Sequence, residues 1–149
     1  MYKHILVPTD GSKLSLKAVK QAAGIAKAAK AKVTALYVIE PYMPSVTDDS
    51  LVPFTVARLE AEYKEASEKA AAAALDRAQN AFAPARVACE KVFATDPHPW
   101  HGILETARKR HCDLIVMASH GRGGLASVLI GSETHKVLAH SKTPVLVCR

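Results

Sequence analysis

Aromatic residues make up only 5% of this 149-residue chain. That is too few to offer a row of exposed rings for stacked bases, so single-stranded nucleic-acid binding is disfavoured. No apolar run approaches the roughly 18 residues of a membrane-spanning helix. The opening Met1-Tyr2-Lys3-His4-Ile5-Leu6-Val7-Pro8 has too short an apolar stretch for a signal peptide, so neither export nor membrane insertion is expected. The three cysteines, Cys89, Cys112 and Cys148, are odd in number, far apart and in no CxxC arrangement. Neither a disulfide framework nor a zinc knuckle is indicated, and a reducing, cytoplasmic setting is expected. The chain also has no GxxxxGK[ST], which excludes a P-loop NTPase.

What is present suits one ordinary domain spanning residues 1–149, with 49% hydrophobic and 23% charged residues, long enough to bury a substantial core unaided. A net charge of +6 favours anionic partners through a long-range field without naming the anion. Alanine is roughly a sixth of the chain, which suits close helix packing on small side chains.

Short β-branched runs alternate with longer Ala-rich, Gly-poor stretches, the pattern of an α/β fold. Strands are predicted over His4 to Val7, Lys32 to Val38, Arg86 to Phe93, Leu114 to Ala118 and Pro144 to Cys148. The Val, Ile and Leu content of the first, fourth and fifth fits parallel strands covered on both faces. A first helix is predicted from the N-cap Ser12 to about Lys30, with Leu16, Val19, Ala23 and Ala26 inward. A second runs from about Thr55 to Ala81, with Leu59, Tyr63, Ala66, Ala70 and Ala73 as its apolar stripe. The third opens on Asp96-Pro97 and buries Trp100, Ile103, Leu104 and Ala107. Arg108-Lys109-Arg110 falls in its last turn, where positive charge suits the helix end better than a nucleic-acid patch would. The Pro-rich stretch Glu40 to Phe54 reads as a crossover loop, and a lid is one use for it.

In an open parallel sheet, ligands sit beyond the carboxyl ends of strands where chain order reverses, which directs attention to the segments after the first and fourth strands. Pro8-Thr9-Asp10-Gly11-Ser12 places a carboxylate at a strand tip beside a helix N-terminus. Ala118-Ser119-His120-Gly121-Arg122-Gly123-Gly124 follows the fourth strand, and Gly131-Ser132 opens the last helix. Glycines let backbone N–H groups approach an anion, and a helix N-terminus adds oriented donors, so these segments form a candidate phosphate cradle to which Arg122 adds charge. Plain turns with Ser132 as an ordinary N-cap are the competing reading. Gly121 to Ala126 also fits GxGxxA, but no Asp or Glu follows Glu133, which argues against a dinucleotide Rossmann site.

Taken together, Ile5-Leu6-Val7-Pro8-Thr9-Asp10-Gly11-Ser12, Leu36-Tyr37-Val38-Ile39, Asp113 through Gly124, and Gly131-Ser132 with Pro144-Val145-Leu146-Val147 resemble the universal stress protein family along essentially the whole chain. Its nucleotide-binding branch carries G-x2-G-x9-G-[ST]. This chain has Ala118-x2-Gly121-x9-Gly131-Ser132, with alanine at the first position. The resemblance implies an open five-stranded parallel sheet of order 3-2-1-4-5 with helices on both faces, of the adenine nucleotide alpha hydrolase-like kind. It implies ATP or another adenine nucleotide as ligand, with Mg²⁺ or Mn²⁺ bridging the phosphates. Asp10 would meet the ribose and the backbone of Val38 the adenine edge, with Pro8 and Thr9 on the same wall. The amides of Gly121 and Gly131 and the hydroxyl of Ser132 would take the phosphates. Met117, Ala118, His120, Arg122, Gly124 and Glu133 complete the expected site, where the methyl of Ala118 is expected to crowd the ribose. The resemblance also implies a homodimer through the last strand. That agrees with a physical concern, since Pro144-Val145-Leu146-Val147-Cys148 is an apolar strand that as a bare edge would invite aggregation.

The histidines give no metal-ligand pattern. His135 and His140 lie off a common helical face, and His98 and His101 flank a proline without a third ligand. No GxSxG elbow accompanies Ser119, Asp10 and His120, so a hydrolase triad is disfavoured and His120 is assigned to ordering its loop. A stress-response module that binds adenine nucleotide is the reading adopted, with no catalytic residue assigned and no nucleic-acid or membrane partner. A slow ATPase or phosphotransferase using the same loop, and an interaction dimer that has lost nucleotide through Ala118, remain as alternatives.

Overall fold

The computed structural model describes residues 1–44, 53–121 and 130–149. Its elements run β1 (His4–Pro8), α1 (Lys13–Ala29), β2 (Lys32–Ile39), α2 (Pro53–Phe82), a short 3-10 helix (Ala83–Ala85), β3 (Cys89–Thr95), α3 (Pro99–Lys109), β4 (Leu114–Ala118), α4 (Ser132–His140) and β5 (Val145–Cys148). The sheet is five-stranded and all parallel in the order β3-β2-β1-β4-β5, as expected.

Strand alternation divides the interior into two layers. Ile5, Val7, Val33, Ala35, Leu114, Val116 and Ala118 face α1 and α2, where Ala18, Val19, Ala22, Ala26, Leu75, Ala78 and Phe82 meet them. On the opposite face, Leu6, Leu36, Ile115 and Met117 pack with Ile103, Ala107 and Val137 of α3 and α4. Each fully buried aliphatic side chain contributes roughly 1.5–3 kcal/mol.

Ser12 caps α1 as predicted, its side chain accepting from the Ser15 N–H at 3.1 Å, a contact worth about 1 kcal/mol. Three expectations are corrected. The buried face of α2 is Ala71, Ala74, Leu75, Ala78 and Phe82, whereas Leu59 and Tyr63 lie exposed. Helix α3 begins at Pro99 with His98 as its cap, because the Asp96 carboxylate is engaged in a turn, accepting the His98 N–H at 2.8 Å while meeting His101 Nδ1 at 2.6 Å. Strand β3 starts at Cys89, since Arg86 adopts a left-handed φ of 54° that closes the 3-10 turn. Trp100 is half-buried against the second layer, its ring 4.9 Å from that of His140. Among the described residues no helix is long and apolar enough to cross a membrane.

Candidate functional site

Strand β1 is the point where the sheet reverses order, with β2 on one side and β4 on the other. Beyond its carboxyl end lies a cleft of about 520 Å³. Pro8, Thr9, Asp10, Val38, Met117, Ala118, His120, Gly121, Gly131, Ser132 and Glu133 all line it. Arg122 and Gly124, which the sequence also nominated, lie outside the described residues, as does most of the crossover loop named as a lid.

The loop after β1 is built by its own side chains. The Ser12 N–H donates to Asp10 Oδ1 at 2.9 Å, and the Gly11 N–H donates to Thr9 Oγ1 at 3.2 Å, with Gly11 at a φ of 79°. Ser15 Oγ donates to the Ser12 carbonyl at 2.9 Å, so in its 3.0 Å contact with Thr9 the threonine hydroxyl is the donor. These bonds order the turn that carries Asp10. A methyl added at Gly121 would stand 2.9 Å from Asp10 Oδ2, so a side chain at residue 121 would press on the Asp10 carboxylate and make it shift.

Strand β2 outlasts β1. The Thr9 N–H reaches the Leu36 carbonyl at 2.8 Å and the Asp96 N–H reaches the Ile39 carbonyl, so even-numbered residues of β2 present their backbone toward β1 and odd-numbered ones toward β3. Val38 therefore turns its N–H and C=O to the side β1 has left, where the cleft begins. Such an adjacent donor and acceptor can read the hydrogen-bonding edge of a flat heterocycle.

At the other end, Gly131 caps α4 and Ser132 is its first helical residue. The early N–H groups of a helix find no partner within it and favour anions. The Gly131 N–H is already engaged, donating to the Ser119 carbonyl at 2.8 Å. In this structure that amide is thus bonded within the protein, between β4 and α4. Residue 131 matters through its missing side chain, since a methyl there would lie 3.2 Å from the Ser119 oxygen, and the donors at this end are those of the first turn of α4. Ser119 itself is buried, its hydroxyl 3.0 Å from His120 Nδ1, which fits the loop-ordering role assigned to His120.

Ala118 ends β4 at the edge of the cleft. Its side chain belongs to the layer under α1 and α2, with Val116 and Leu114, whereas Leu36, Met117 and Ile103, which line the cleft, belong to the layer under α3 and α4. The methyl packs with the layer under α1 and α2, while the residue also borders the cleft.

The cleft also includes residues not nominated from sequence: Ser15, Leu36, Tyr37, Glu40, Pro99, Ile103 and Thr134. Ser15, one turn after the Ser12 cap, was within reach of sequence reasoning. Pro99 and Ile103 depend on how α3 docks. Thr134 Oγ1 donates to the Ala118 carbonyl at 3.0 Å, tying α4 to the tip of β4. Among the described residues no three His, Cys, Asp or Glu side chains are grouped to hold a metal ion.

The Universal stress protein family model matches residues 1–149. A universal stress protein of Thermus aquaticus is 35% identical over 150 residues, covering 100% of both chains. The structure of universal stress protein UspA from Lactobacillus plantarum superposes with a TM-score of 0.85 at 28% identity, covering 99% of this chain and 98% of that one. A universal stress protein crystallised in complex with cAMP superposes with a TM-score of 0.73 at 29% identity, covering 99% and 97%. With a family match over its full length and a relative of this identity, the chain belongs to the universal stress protein family.

Proposed function

We propose that this chain binds an adenine nucleotide, ATP with a bridging divalent ion being the expected form, and serves as a cytoplasmic stress-response binding and signalling module. The observation that carries this reading is the layout of one cleft at the sheet's reversal point. A heterocycle-reading backbone at Val38, a turn-ordered carboxylate at Asp10 and the first turn of α4 line its walls, the order in which base, ribose and phosphate follow one another. The similar protein solved with cAMP supports the class of ligand. When bound, the divalent ion would neutralise phosphate charge, while the protein supplies the base edge, the ribose contact and the helix terminus.

Self-association through β5 is part of the proposal. The outer strand β3 carries Glu90 and Lys91, paired with Arg110 and Asp76, beside an exposed Phe93. Strand β5 is VLVC, without a charge and with Leu146 exposed, the kind of edge that a second copy covers.

The test is to denature the purified protein and identify what it releases, then to titrate the emptied protein with ATP and Mg²⁺ by calorimetry. Released ATP and a saturable heat are expected. ADP or AMP in its place favours the hydrolytic alternative, and neither nucleotide nor heat overturns the proposal. Light scattering on the same sample is expected to give twice the monomer mass.

A further inference from the structure

The described lining of the cleft contains the carboxylates of Asp10, Glu40 and Glu133 and, among the described residues, no lysine or arginine, although the chain as a whole carries +6. Glu133 stands immediately after Ser132, in the first turn of α4. Its Oε2 accepts the backbone N–H of Trp100 at 2.9 Å, which supplies a cap that His98 does not give α3 and holds the carboxylate between the two helices. Its Oε1 meets Lys136 Nζ at 3.1 Å, but the two side chains are 39% and 45% exposed, so solvent weakens that compensation.

A helix N-terminus is equivalent to roughly half a positive charge, and a full negative charge fixed in its first turn opposes it. We propose that Glu133 is a specificity-determining residue that limits how much phosphate charge the cleft accepts. It favours adenine nucleotides with a single phosphate, or ATP neutralised by a divalent ion, over free ATP. This rests on the nucleotide reading above. Each further negative charge brought to within several ångströms of the carboxylate weakens binding roughly fivefold in a partly screened setting.

The experiment measures AMP and ATP affinities in EDTA for the wild type, Glu133→Gln and Lys136→Gln. Glutamine keeps an oxygen for the Trp100 N–H and removes the charge, so the ratio of ATP affinity to AMP affinity is expected to rise about fivefold or more. Lys136 lies on the exposed side of α4, and its replacement by glutamine removes the ion pair to Glu133 Oε1 and is expected to lower the ratio. A ratio that stays the same or falls in Glu133→Gln, or that fails to fall in Lys136→Gln, overturns the assignment. Wild-type protein that binds neither nucleotide overturns the nucleotide reading itself, a result visible before any variant is made.

Discussion

At the amino ends of the strands, the Asp113 carboxylate accepts the N–H groups of Lys3 and His4, and the Asp113 N–H donates back to the His4 carbonyl. His4 then spans two elements, with Nδ1 3.0 Å from the Arg110 carbonyl and Nε2 2.8 Å from Thr34 Oγ1. Since a carbonyl only accepts, Nδ1 is the donor, and neutral Nε2 takes the threonine proton. At the carboxyl ends, the side-chain bonds of Thr9, Asp10, Ser12 and Ser15 shape a turn, while Val38 and the start of α4 direct backbone groups into open space. Both ends of one sheet are polar. The amino end closes its hydrogen bonds on itself, whereas the carboxyl end leaves backbone donors facing the cleft.

The same contrast shows in titration. Burial, with Lys32 as the next influence, pushes the His4 imidazole below its ordinary value of 6.5, against the opposing pull of the Arg110 carbonyl. Burial pushes the Asp113 carboxyl up, but the donors from His4 and Lys3 outweigh it and hold the group below 3.8. The unfolded chain therefore binds more protons than the folded one in both ranges. The stability from His4 is complete above pH 6.5 and declines as pH falls below it, and that from Asp113 is lost only as pH falls below 3.8.

The largest test of the division is Gly121→Val, which drives a branched side chain into the space of Asp10. Nucleotide affinity should fall at least about 100-fold by calorimetry, equivalent to about 2.7 kcal/mol, while the melting temperature moves little. A matching loss of stability would show that the two ends are not separable. Next, His4→Ala opens the amino-end network and should lower stability by about 2 kcal/mol, a melting shift of about 4 to 8 °C for a chain of this size. Its stability should also lack the decline below pH 6.5 expected of the wild type, with nucleotide affinity unchanged at pH 8. Weakened binding there would blur the contrast. The smallest effect belongs to Ala118→Gly. With the methyl facing α1, affinity should stay within about twofold and stability should drop by about 1 kcal/mol. A large gain in affinity would mean that the methyl does reach the ligand.

How far the sequence could be read depended on whether a signal was local. Ser12 was legible as a cap because the cap lies within three residues of its donor. Strand identity was legible because Val, Ile and Leu cluster there. The phase of α2 was not, since the run Ala70 to Ala74 makes every face of the helix apolar, and only Leu75 and Phe82 turn one face to the sheet. The Asp96 cap was misplaced because a second proline, Pro99, offered a later start. The parity of Ala118 with Val116 and Leu114 could be counted in advance. Which layer holds the cleft could not, because that depends on α3 crossing to the other face. The bond from the Gly131 amide to the Ser119 carbonyl was illegible for a similar reason, since the two come into reach only when β4 and α4 are docked.

The alanines under the first layer bear on how this chain tolerates change. Ala18, Ala22, Ala23, Ala26 and Ala78 have almost nothing to lose by truncation, so at these helix positions the layer fails by overfilling, as larger residues force helices and sheet apart. The opposite layer, built on Leu6, Leu36, Ile115 and Met117, fails chiefly by hollowing, since each shortened side chain leaves a void beneath the cleft. Random substitution should therefore leave two different scars, enlarged residues purged from the helices of one side and shrunken ones purged from the strands of the other.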